Sequence, residues 1–115
     1  MKINKRNALK LWNEFYGDVL YAADFHGNLM YRDAYGDRDF CIQRQGLDLY
    51  CGWNLHHILA LSHGGSKDQS NLVCTNIITN DEAEDKITFW IDNVLYQVRK
   101  IPGTQEYEIV CIKEE

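Results

Sequence analysis

Between Asn4 and Tyr16 the apolar residues Leu9, Leu11, Trp12, Phe15 and Tyr16 recur among Lys5, Arg6, Asn7, Lys10, Asn13 and Glu14 at close to helical spacing. Asn4 stands where a helix is capped and Gly17 where one stops, so the pattern predicts an amphipathic helix over residues 4–16. The period then shortens. Val19 to Ala23 and Leu29-Met30-Tyr31 are short apolar runs on either side of His26-Gly27-Asn28, which predicts a hairpin. The polar, Gly-containing stretch from Asp33 to Asp39 predicts a loop. A second hairpin is expected where Phe40-Cys41-Ile42 and Leu47 to Cys51 flank Gln45-Gly46, leading into Trp53 to Ile58.

Beyond that strand, Ser62 to Ser70 reads as a surface loop built around Gly64-Gly65, and Leu72 to Thr75 as a short buried strand. Thr79-Asn80-Asp81-Glu82 has capping-box spacing, which predicts a short helix beginning there and running to about Lys86. Ile87 to Ile91 and Val94 to Val98 bracket Asp92-Asn93, a pair suited to positive φ in a tight turn. Pro102-Gly103 then turns the chain before Tyr107 to Ile112. The expected class is α+β with mostly antiparallel strands.

The 115 residues suffice for one domain with a modest core, and 45% hydrophobic content places the chain well away from the disordered regime. Trp12, Trp53, Phe89 and Trp90 are expected in that core. No apolar run marks a signal peptide or reaches the length of a membrane span, so an intracellular, cytoplasmic location away from membranes is expected. Cys41, Cys51, Cys74 and Cys111 are widely spaced and read as buried thiols, with a shared structural zinc site as the lesser alternative.

A net charge of −5 argues against a strong nonspecific grip on a polyanion. The charge is regional, however: residues 1–16 carry +3, residues 17–85 carry −7 and residues 86–115 carry −1. Lys2, Lys5, Arg6 and Lys10 read as a solvated helix face, with phosphate contact as the sharper option.

The middle of the chain holds the candidate chemistry. Hydrolysis of a phosphodiester needs a base for water, a divalent cation for the phosphate and departing oxygens, and a group that orients the base. His57 is the candidate base, His56 and Asn80 the candidate cation ligands, and Asn71 the candidate orienting group. Residues 53–74, WNLHHILALSHGGSKDQSNLVC, followed by Thr79-Asn80-Asp81-Glu82, resemble the HNH nucleases of the ββα-metal (His-Me finger) class. The likeness rests on a polar pair ending in His, an apolar residue, a Gly-Gly loop, Asn-Leu and a further Asn. His57 and Asn71 are 14 positions apart and Asn71 and Asn80 are 9 apart. It spans about residues 51–91.

The resemblance implies a ββα-metal core and endonuclease activity on nucleic acid, with DNA the first expectation. His57 would act as general base, aligned by the side-chain amide of Asn71, and His56 would coordinate the cation with Asn80. Many members carry Asp or Glu where His56 stands, and imidazole widens the choice from Mg or Mn toward Ni or Zn. Ala60 replaces a proline common in the family. Lys86 and Lys67 are candidate substrate contacts. His26 and His63 read instead as surface or satisfied core histidines. Two other classes compete: a non-catalytic protein of the same fold acting as a binding or inhibitor module, and a structural metal domain. One geometric condition applies, since neighbours on a regular strand face opposite sides and His56 and His57 share a site only where the strand bends or ends.

Overall fold

The chain, described over residues 1–115 by a computed structural model, opens with helix α1, Lys5–Tyr16. Asn4 is extended and its side chain accepts the Asn7 N–H at 2.9 Å, while Gly17, at φ 76°, ends the helix by donating its N–H to the Asn13 carbonyl. Ala8, Leu11 and Trp12 lie on one stripe and are fully buried.

Four small antiparallel sheets follow. Strands β1 (Tyr21–Ala23) and β2 (Leu29–Tyr31) form the first, and β3 (Cys41–Arg44) and β4 (Leu47–Tyr50) the second. Strands β5 (Trp53–His57) and β6 (Leu72–Asn76) pair from Trp53↔Asn76 to His57↔Leu72, and helix α2 (Ile77–Ala83) starts at the next residue. The last sheet is a meander of β7 (Thr88–Ile91), β8 (Val94–Lys100) and β9 (Tyr107–Glu114). Both two-residue turns expected from sequence close with positive φ: 52° and 76° at Gln45-Gly46, and 47° and 67° at Asp92-Asn93. The α+β class is therefore observed.

Two cores divide the work. Helix α1 lays Ala8, Leu11 and Trp12 onto Met30, Trp53, Leu55, Leu72 and Cys74, with Trp12 and Trp53 ring centroids 5.0 Å apart. Helix α2 and the loop after β5 contribute Ala83 and Leu59 to a second cluster with Phe89, Ile91, Tyr96 and Val98 of the meander. Between the cores sits the buried carboxylate of Asp24. Its Oδ1 accepts the N–H groups of His26 and Asn28, and its Oδ2 accepts that of Asn76, each at 3.0 Å. The tip of the first hairpin is thereby fastened to the junction of β6 and α2.

Several sequence expectations need correction. Helix α2 begins at Ile77, capped by Asn76, whose Oδ1 accepts the Ile78 N–H at 2.9 Å. Thr79 is no cap: it is fully buried and its hydroxyl accepts from Asn28 Nδ2 at 2.8 Å. The helix also ends at Ala83 rather than Lys86, because Glu84 adopts φ 52°. Val19 and Leu20 are exposed and precede β1. Trp90 is 46% exposed, since the alternation that buries Phe89 and Ile91 turns it outward. Cys51 and Cys74 are buried, but Cys41 and Cys111 are exposed.

Candidate active site

The ribbon of β5 and β6 is closed at its far end by Ile58 N–H donating to the Asn71 carbonyl at 2.8 Å, so residues 58–71 form a loop that must leave and return at one place. Two glycines allow the return. Gly64 takes φ 89°, and the Gly65 backbone lies so close to Leu59 that a Cβ there would meet the Leu59 carbonyl oxygen at 1.8 Å. Gly65 N–H donates to the Ala60 carbonyl at 3.0 Å. Ala60 itself sits at φ −57° and ψ 144°, a region that proline occupies readily, so alanine in place of proline leaves the turn unchanged.

Asn71 is buried and holds this loop. Its Oδ1 accepts the Leu59 N–H at 2.9 Å, and its Nδ2 donates to the carbonyls of Leu59 at 2.9 Å and Ser66 at 2.8 Å. Those bonds go to backbone, so Asn71 does not align the His57 ring through its amide. Its link to His57 is indirect, through the loop that leaves the strand just after that residue.

Strand alternation turns His56 toward α2, on the same side as Asn54. There His56 Nδ1 meets Asn80 Oδ1 at 2.7 Å across 24 residues of sequence. The Asn80 Nδ2 donates to Asn54 Oδ1 at 2.7 Å, and Thr75 Oγ donates to the same oxygen at 3.3 Å. His57 is the last residue of β5, where the strand ends, and this resolves the alternation problem. Both imidazoles, together with Asn80, line one open cleft of about 300 Å³.

Burial lowers the pKa of His56 below its ordinary value, partly offset by the hydrogen bond it donates to Asn80 Oδ1. Burial also lowers that of His57, with the nearby Met1 ammonium acting in the same direction. Both rings are thus biased toward the neutral form that a ligand or a base requires.

Three further residues line the cleft that sequence reasoning passed over: Ser62, Glu84 and Asp85. Glu84 ends α2 by donating its N–H to the Asn80 carbonyl and pairs with Lys86 at 3.3 Å. Ser62 Oγ donates to Asp85 at 3.4 Å. Only the positive φ of Glu84 brings it here, and a helix expected to continue to Lys86 hides that turn. Asn54 was also missed, because an Asn in a strand gives no sequence signal of what it faces. Lys86 is exposed beside Glu84, Lys67 is exposed in the loop, and neither lines the cleft. His63 is exposed, and His26 bonds Tyr96 at 2.6 Å and Asp92 at 2.9 Å, away from this site.

No three His, Cys, Asp or Glu side chains converge tightly enough to make a cation cage. The available pair is mixed, one imidazole nitrogen and one amide oxygen. Two donors at neighbouring corners of an octahedron with bonds of ~2.1 Å lie about 3 Å apart, so this pair, now joined by a 2.7 Å hydrogen bond, would need to part only slightly and to give up the hydrogen on Nδ1. Hydrated Mg or Mn, which keeps several waters and takes further oxygens from a phosphate, fits such a partial donor set. No family model, curated protein or solved structure matches the chain.

Proposed function

We propose that the chain is an HNH-type, cation-dependent endonuclease that hydrolyses phosphodiester bonds in DNA, built on a ββα-metal core of β5, β6 and α2. The observation that carries this reading is the 2.7 Å approach of His56 Nδ1 and Asn80 Oδ1 in a cleft that His57 also lines. A polar pair drawn from a strand and a helix, beside a half-buried imidazole that makes no hydrogen bond to the protein, suits hydrolysis better than structural packing.

In this reading the neutral His57 ring takes a proton from water at the cleft, and its freedom from protein hydrogen bonds leaves a ring nitrogen available. His56 and Asn80 would hold the divalent ion, which when bound offsets charge on the phosphate and the departing oxygen. Asn71 keeps the loop after His57 in place, so the ring is presented at a fixed strand end. Glu84 and Asp85 would repel a bare phosphate, and a divalent ion in the cleft would relieve that repulsion.

The acidic rim also favours a second reading, a non-catalytic module that uses the same cleft to bind a cationic partner. Plasmid nicking with Mg or Mn, and again after chelation, separates the two. Wild type should nick only with the ion present. His57→Ala should lose at least ~100-fold in rate while keeping its fold, since a general base contributes ~10²–10⁴-fold. Full activity in that variant removes the mechanism, and no nicking by wild type under any condition favours the binding module.

A further inference from the structure

A carboxamide has two ends, and the Asn80 side chain offers a cation a useful lone pair only if its oxygen, not its nitrogen, faces His56. We infer that Asn54 is the positioning residue that sets this orientation, a role that rests on His56 and Asn80 being the cation donors proposed above.

Asn54 precedes His56 by two residues on β5 and so shares its face of the ribbon. Its Oδ1 receives the Asn80 Nδ2–H at 2.7 Å. Directly across the ladder from Asn54 lies Thr75, wholly buried, whose hydroxyl donates to the same oxygen at 3.3 Å. In this arrangement Asn54 Oδ1 is the common acceptor of both bonds. The Asn80 nitrogen is therefore committed to Asn54, and its oxygen is left facing His56 Nδ1 at 2.7 Å.

An amide oxygen cannot donate, so the cation-free protein must carry the His56 hydrogen on Nδ1; a cation taken up between Nδ1 and Asn80 Oδ1 would require that hydrogen to shift to Nε2. Without Asn54 the carboxamide is free to reverse and present N–H groups, which repel a cation and have no lone pair to give it. Asn54 touches neither substrate nor ion in this scheme. It acts through Asn80.

The tautomer of His56 is the readout that a merely structural role would not move. In 15N-histidine-labelled, metal-free wild type at pH 7.5, His56 should carry its hydrogen on Nδ1. In Asn54→Leu that form should give way to a mixture, and Mn2+ affinity followed by electron paramagnetic resonance should fall by ~10–100-fold, the usual cost of losing a group that orients a ligand. Asn54→Asp keeps an acceptor and should retain both the tautomer and the affinity.

The hydrogen on Nε2 in wild type would overturn the assignment without any variant being needed. So would an Asn54→Leu protein, folded by its amide spectrum, that keeps the Nδ1–H form and the wild-type Mn2+ affinity, or an Asn54→Asp protein that loses the tautomer. Wild type that shows the expected tautomer, and loses it in Asn54→Leu, but binds no Mn2+ would uphold the positioning role and overturn the cation reading instead.

Discussion

Asn71 and Leu59 are joined like a pair of residues in a ladder: the Asn71 side-chain oxygen accepts the Leu59 N–H at 2.9 Å, and its nitrogen donates back to the Leu59 carbonyl at 2.9 Å. A side chain here satisfies backbone that has left the sheet and would otherwise be buried without partners.

Removing that side chain should therefore act on stability before it acts on any ring. Asn71→Ala strands the Leu59 N–H and carbonyl and should cost about 2–6 kcal/mol, given ~1–3 kcal/mol for each buried group left unpaired. Asn71→Asp keeps the acceptor but loses the two donated bonds, and should fall between Ala and wild type in urea titration. Equal stability of Asn71→Ala and wild type would refute the brace.

The loop offers a paired test of opposite sign. Gly65→Ala forces a methyl into the Leu59 carbonyl and should destabilise by roughly 1–3 kcal/mol, as overpacking does. Ala60→Pro places a ring where φ is already −57° and should be neutral or stabilise by about 0.4–1 kcal/mol. Thermal melts of the two variants should move in opposite directions, or Ala60→Pro should stay level.

A pH dependence follows from the buried imidazole. The folded-state pKa of His56 lies below the ordinary 6.5 because burial disfavours its charged form. Below pH 6.5 the unfolded chain thus binds the proton more readily than the folded one, and stability falls as the pH drops toward the folded pKa. Above pH 6.5 that contribution is fully present. Melting temperature should be level from pH 7 to 8 and decline between pH 6.5 and 5, with a shallower decline in His56→Gln.

The thiols divide by burial. Cys41 and Cys111 are exposed and should react with a disulfide reagent in the native protein. Cys51 and Cys74 should react only after unfolding, for burial raises both and pushes Cys74 up to about 12. Reaction of Cys74 in the native protein would show that the first core opens.

What could be read from the sequence was what local chemistry decides. Asn4 and Gly17 bound α1 as their types require, and Asp92-Asn93 turns the meander with both φ angles positive. The beginning of α2 was not legible in the same way. Thr79 and Glu82 carry the spacing of a capping box, yet Asn76 takes the cap because it is also anchored through Nδ2 to the carbonyls of Leu29 and Tyr50. Those partners lie 47 and 26 residues away, and no window of sequence contains them. The same reason hid Asn54 and Glu84. The group that Asn54 faces comes from α2, and Glu84 reaches the cleft only through a backbone angle that its side chain does not favour.

The three N–H groups collected by Asp24 bear on how the polypeptide acquires its site. Asn76 heads the helix that carries Asn80, and its amide is tethered across 52 residues to the tip of the first hairpin. That closure brings an entropic toll which only the finished docking repays, so the cleft should form late and in concert with the amino-terminal third. A fragment starting after Tyr31 would keep His56, His57, Asn71 and Asn80, yet have nothing to cover the amide at the head of that helix.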